Sequence, residues 1–339
     1  MEQAKTIPVE YPKPKLKQRV GAVLIDGLCL ILSTLMLFSL LFLATTHLPI
    51  YTGAQGDLDR IRLDSGLYVR SGNDVELVSD HYDPENDPSL SSGMAYDEIS
   101  DALNFFFADE TFFAPGAGTE FFNGEKAKEP GLFYRVEGKE STDPDQYQPL
   151  STASNDSLLD FFVDSCEKAI GFLSNDPEYS KASRTITWST IVTVVIAYVI
   201  AYALLFVMVP YICRRGYTTM GMLTMKYARV YVDGLIPTGS RFAVRSLVAF
   251  ILEGVGFLAV LIPIAVSATL VIQGKFGQSL PDYLINIYPV DTSETSVYFT
   301  PREYAHALSS GAAISSDELT PEQKEDRRRA ETDRASDEL

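Results

Sequence analysis

Three long runs of apolar residues punctuate the chain. Val20–Leu43 holds a single charge, Asp26, and Ile186–Ile212 holds none. The second run opens beside Trp188 and closes at Pro210 and Tyr211, where interfacial aromatics are common. The third, Leu247–Ile272, carries Glu253 near its start, Gly254 and Gly256 beside it, and Pro263 at mid-length. A hydrocarbon layer about 30 Å thick is crossed by roughly 20 helical residues. The pattern therefore predicts transmembrane helix 1 over residues 18–45, transmembrane helix 2 over 185–212 and a third membrane segment over 246–273. The third is either a straight span from about Val255 to Ile272 or a hairpin, broken or re-entrant across Pro263. Irregular backbone at such depth needs protein or water to satisfy it. The first run outlasts the roughly 7–15 residues of a signal-peptide core, and no small-x-small site follows it. It is expected to be an uncleaved anchor.

Polar patterning fills the intervals. Residues 1–17 form a basic N-terminus, 213–245 a basic loop and 274–339 a polar tail with a disordered end. The tail has one candidate helix, Thr320–Ala335. In the long interval 46–184, Ile61, Leu63, Leu67, Val69, Val75, Leu77 and Val78 alternate loosely around turn residues. That predicts short strands and turns. Leu132–Val136 reads as another strand, and Ser157–Leu173 as a helix with Asp160, Asp164 and Glu167 on its wet side. Phe105, Phe106, Phe107, Phe112, Phe113, Phe121 and Phe122 are expected to supply its core. The expected fold is mostly α: multi-pass membrane helices with an inserted α+β extracytoplasmic domain.

Charge orients this arrangement. Residues 1–45 carry net +2, 46–184 carry −17, 185–281 carry +5 and 282–339 carry −7. Lys13, Lys15, Lys17 and Arg19 precede the first span; Arg214, Arg215, Lys226, Arg229, Arg241 and Arg245 follow the second. Basic flanks stay inside, so the N-terminus is expected in the cytoplasm of a bacterial-type cell, the chain in the plasma membrane and residues 46–184 outside. A single third crossing puts the tail outside, a re-entrant one inside, and Lys275 argues for inside. The acidic interval excludes a nucleic-acid partner, which needs a basic face. Cys29, Cys166 and Cys213 form no CxxC pair, and Cys166 is alone in the acidic interval.

Candidate chemistry sits next to the apolar runs. An ionised carboxylate inside a membrane segment is costly and calls for a partner, a watery pocket or a proton. Asp26 is such a group. Arg19 lies seven residues earlier on the same helical face, ~10 Å away along the axis, too far for a direct pair but open to bridging by a third group such as a residue of another segment. Glu253 and Asp282 are the other acidic candidates. These four form either an ion or proton site or a set of polar helix-packing contacts. Asp80, Asp83, Glu85 and Asp87 lack the ligand ladder and turn glycine of a calcium loop and read as a solvated loop with Pro84 and Pro88. No metal or cofactor is expected. His47, His81 and His306 have no triad-like companions, and no HExxH, P-loop or GxSxG occurs, so no enzyme is expected.

Arg19-Val-Gly-Ala-Val-Leu-Ile-Asp26-Gly resembles the opening signature of the RDD family of small membrane proteins, named for one arginine and two aspartates. Gly216-Tyr-Thr-Thr219-Met-Gly221-Met222, then Arg229-Val and Asp233-Gly234, resembles the family's loop after the second span. Arg245 matches the arginine that opens its next segment, and Leu280-Pro-Asp282-Tyr-Leu its ending. Met222 replaces the usual lysine and Pro281 the usual histidine, and Asn286 and Tyr288 stand where Gly-Thr is usual. The likeness covers residues about 18–45 and 186–291. It implies that Arg19, Asp26 and Asp282 converge near the inner membrane face, and it implies a role of undefined kind, with ion or small-solute transport proposed for some members.

Three spans are too few to enclose a pathway, so a transporter is expected as a homo- or hetero-oligomer in the lipid bilayer. The alternative is a membrane scaffold, receptor or assembly protein that meets a protein partner through its extracytoplasmic domain.

Overall fold

The computed structural model describes residues 12–87, 89–213, 217–255, 262–273, 277–293 and 296–310. Arg214, Arg215, Gly216, Gly256, Lys275 and the candidate tail helix Thr320–Ala335 lie outside them. The chain forms two compact units: Met1–Leu41 with Thr193–Leu339, and Phe42–Val192.

The 42–192 unit is an α+β body. Its elements are α2 (Pro49–Asp64), a hairpin of β1 (Tyr68–Ser71) and β2 (Asp74–Leu77), α3 (Val78–His81), α4 (Ser92–Ala108), α5 (Ala117–Lys126), a hairpin of β3 (Phe133–Arg135) and β4 (Tyr147–Pro149), and α6 (Asn155–Ser174). Ile61 and Leu63, expected in strands, belong instead to helix α2. Ile61 falls three residues after Leu58 and seven after Ala54, the spacing of one helical face, and these three are the buried residues of α2. Of the short strands and turns expected up to Val78, Val69 lies in β1 and Val75 and Leu77 in β2, while Val78 opens α3; the helix expected at Ser157–Leu173 is α6. Ser91 and Ser154 cap α4 and α6, their hydroxyls accepting from the amides of Met94 and Ser157 at 3.3 and 3.1 Å. α4 packs on α5 and α6. Phe106, Phe107, Phe122, Phe133 and Phe162 fill the core with Ile99, Leu103, Leu158 and Leu173. Phe112, Phe113 and Phe121 pack at its edge, and Phe105 is exposed. Asp160, Asp164 and Glu167 face water, as the helix reading required.

The other unit holds α1 (Leu16–Thr45) and the continuous helix of α7 (Pro177–Ala203), a π-helical stretch Leu204–Met208 and α8 (Val209–Cys213); the unit boundaries fall within α1 and α7. Leu16–Thr45 and Pro177–Ile212, of 30 and 36 residues, are long and apolar enough to cross a membrane. Val23, Leu24, Leu28, Ile31, Leu35 and Met36 on α1 are each more than half exposed. After α8 come α9 (Met220–Thr224) and β5 (Tyr227–Tyr231). Within the third apolar run the described residues are helical on both sides of 256–261, which lie outside them: α10 (Gly239–Ala249) leads into a π-helical turn at Phe250–Val255, and α11 spans Ile262–Gln273. α12 (Leu280–Leu284), β6 (Ile287–Asp291) and α13 (Pro301–Ser310) follow.

Candidate functional site

Residues 217–231 and 277–291 follow the same path, 60 residues apart. Each begins with a positive φ, 51° at Tyr217 and 64° at Gly277. Each places a hydroxyl at a helix cap two residues on: Thr219 accepts from the Met222 amide, Ser279 from the Asp282 amide. A five-residue helix follows, α9 or α12, and then a second positive φ, 54° at Lys226 and 57° at Asn286. Each ends in a five-residue strand. The two strands pair antiparallel, Tyr227 with Asp291, Arg229 with Pro289 and Tyr231 with Ile287. That register is what a local two-fold axis between Arg229 and Pro289 produces. Asp282 occupies the position that Met222 holds in the first copy.

Helix α1 is fastened to both copies. Asp26 Oδ1 accepts from the Gly221 amide at 2.7 Å and Oδ2 from the Thr219 hydroxyl at 2.5 Å. Ala22 packs against Met222 and Tyr227. A Cβ on Gly221 would lie 2.2 Å from the Ala22 carbonyl oxygen, so backbone meets backbone here. Arg19 Nη1 donates to the carbonyls of Val271 at 2.5 Å and Gly277 at 3.1 Å, closing the end of α11 as a cation suits a helix C-terminus. Upstream, Asp291 N donates to Pro12 O at 2.8 Å and Gln18 Nε2 to Asp291 Oδ1 at 3.3 Å.

Helix α10 is seated on β5 and the first copy. Phe242 stacks on Tyr217 with centroids 4.5 Å apart, and the Arg241 guanidinium lies 3.5 Å from the Tyr231 ring centroid. This brings Arg245 to Asp282: Nε donates to Oδ1 at 2.8 Å, and Arg229 Nε approaches the same oxygen at 3.5 Å. All three side chains are about nine-tenths buried. Burial alone would raise the Asp282 carboxyl; Arg245 and then Arg229 outweigh it and hold it below the ordinary carboxylate range. Arg229 Nη1 is buried with no hydrogen-bond partner among the described residues. Eight residues beyond Arg245, Glu253 Oε1 accepts from the Ser267 hydroxyl at 2.5 Å, and Ser267 Oγ accepts from the Leu280 amide at 2.9 Å. Tyr198 OH donates to Gly254 O at 3.1 Å, tying the π-helical turn to α7.

Arg19, Asp26 and Asp282 thus lie in one unit but do not pair with one another. Arg19 and Asp26 each have their own hydrogen-bond partners, and Tyr227, packed on Ala22 between them, interacts electrostatically with both. Asp26, Arg229, Arg245, Asp282 and Glu253 do interact electrostatically as a group. Asp233 and Gly234 shape the turn after β5: Asp233 Oδ1 accepts from the Leu235 amide at 2.9 Å and Gly234 N donates to Tyr231 O. Ser267, Tyr198 and the second copy of the cap–helix–strand element escaped sequence reasoning. A Ser/Thr cap followed seven residues later by Lys226 or Asn286 and then an aliphatic strand was the available signal. Asp83 and Asp87 cap local turns, accepting from the amides of Glu85 and Ser89. Comparison with known protein families, curated proteins and solved structures finds no match for this chain.

Proposed function

We propose that this chain is an RDD-like integral membrane protein that moves a small ion or solute, as part of an oligomer. The observation that carries the reading is the buried group Arg229–Asp282–Arg245 with Asp26 and Glu253 in a unit whose long helices expose leucines, valines and isoleucines. Exposed apolar helices of that length are at home in hydrocarbon, and ionisable groups beside them mark ion or substrate paths by default. Basic flanks on α1 and after α8 favour a cytoplasmic N-terminus in the plasma membrane, with residues 46–184 outside. Two helical pieces in the third run, both ending near residues 217–231 and 277–291, favour a hairpin that returns the tail to the cytoplasm.

The test is a flux measurement on the purified full chain in liposomes carrying a pH-sensitive dye. Addition of sodium or potassium salts should change the internal pH faster than in empty liposomes; equal rates, with protein incorporation verified, contradict transport. A second reading rests on the separate folding of the acidic unit 42–192, which in that reading meets a protein partner outside the cell. In that case deleting residues 46–184 abolishes the physiological role while insertion survives, and no cation flux is seen.

A further inference from the structure

The two carboxylates beside the apolar helices are not equivalent. Both oxygens of Asp26 are engaged, one by the Thr219 hydroxyl and one by the Gly221 amide. Hydrogen bonds to a charged group are stronger than those between neutral partners. A cation seated on Asp26 shares the carboxylate with those donors and competes with the contact that holds α1 to α9. Glu253 has one oxygen on the Ser267 hydroxyl. Its other oxygen accepts no hydrogen bond from any described residue.

Glu253 also sits in the π-helical turn Phe250–Val255. A π-helical turn widens the backbone and is frequent at functional positions. Here it is held from α7 by the Tyr198–Gly254 hydrogen bond and by Tyr202 packing on Phe250, ring centroids 5.0 Å apart. The Glu253 side chain is partly exposed. Arg245, Asp282 and Arg229 face it electrostatically. Arg245 and Arg229 already share Asp282, which leaves the Glu253 carboxylate to the Ser267 hydroxyl and to an incoming ligand.

The structure assigns the exchangeable carboxylate to Glu253 rather than Asp26: Glu253 with Ser267 takes up one monovalent cation, a proton or an alkali-metal ion, while Asp26 holds α1 in place. One carboxylate leaves the second charge of calcium uncompensated, and calcium sites draw on several carboxylates. A single charge matches a single charge. Protonated and metal-loaded forms then carry the same net charge, as an exchanger requires. This assignment rests on the transport reading above, and its test is built to fail separately.

The full chain is treated with dicyclohexylcarbodiimide, which reacts with protonated carboxyl groups in apolar surroundings, and the modified peptides are identified by mass spectrometry. Glu253 should be modified and Asp26 spared. Protection of Glu253 by raised pH alone identifies a proton site; protection by sodium or potassium at constant pH identifies a metal-ion site. In liposomes, Glu253→Gln should lose flux at least tenfold with an unchanged gel-filtration profile, and Glu253→Asp should recover part of it. Asp26→Asn, which removes the charge that Thr219 and Gly221 hold, should lower thermal stability by several degrees. An unmodified Glu253, or wild-type flux in Glu253→Gln, overturns the assignment. A wild-type protein without flux contradicts transport, while the labelling pattern still decides which carboxyl exchanges protons.

Discussion

Lys126 shows what one buried charge does to the acidic unit. It is 3 % exposed, donates to Asn104 Oδ1 at 3.1 Å and lies 4.2 Å from the Phe122 ring centroid. Burial pushes its amine down to about 8, against an ordinary value of 10.5. Between those values the unfolded chain binds more protons than the folded one, so stability rises with pH there. Below about 8 the full cost of the buried ammonium stands. Raising pH from 7 to 9.5 should stabilise the 42–192 unit by about 2 kcal/mol, since each tenfold difference in proton affinity is worth about 1.36 kcal/mol. Lys126→Met should flatten that rise. The check is the urea midpoint read by pulse proteolysis within this unit; a midpoint equally pH-dependent in the variant rules Lys126 out. Nothing in the residues around Lys126 announced its burial, because burial is a property of the packed α4–α5 pair. Asp26 was visible as a charge in an apolar run. Its donors, Thr219 and Gly221, lie nearly 200 residues away, so the sequence showed the cost and not the compensation. Cys166 was legible as a lone thiol; it is buried and pushed up to about 12, which makes it unreactive packing.

At the scale of elements, legibility followed period and length. α1, α7 and α6 were readable because long apolar stripes have few alternative explanations. α2 was misread because Ile61 and Leu63 also continue the alternation of the residues after them, whereas Ile61 belongs with Leu58 and Ala54 at helical spacing before it. The duplicated 217–231 and 277–291 elements went unseen because their likeness is in backbone angles and caps, not side chains. Tyr217 and Gly277 share a left-handed φ while sharing no chemistry. The contact between α1 and α9 is decided by the missing side chain of Gly221. Alanine there would place a carbon against the Ala22 carbonyl oxygen, and backbone cannot step aside as a flexible side chain does. Gly221→Ala should push α1 off α9, break the Asp26 contacts and destabilise by about 1–3 kcal/mol, the range for overpacking. A thermal-shift series of Gly221→Ala, Asp26→Asn and the double variant checks this. The two changes should be strongly non-additive, since both act on one docking contact; additive losses would separate them.

At the scale of the whole molecule, the account turns on the third apolar run. Glu253, Gly254, Gly256 and Pro263 left a straight span and a hairpin both open, since length alone serves either. The α10 and α11 pieces, the pairing of β5 with β6 and the Arg19 closure of α11 favour the hairpin. The pairing cannot form if a membrane separates residues 227–231 from 287–291. The 42–192 unit, inserted in sequence between the start of α1 and the end of α7, accounts for the confinement of most acidic charge to one interval. The most direct test is cysteine accessibility in intact cells and inverted vesicles, in a background with Cys29, Cys166 and Cys213 replaced. Cysteines introduced at the exposed positions Leu223 and Leu284 should react only from the cytoplasmic face, and one at Glu129 only from the outer face. Reaction of position 284 from the same face as position 129 would contradict the hairpin, and with it the site built around Asp282.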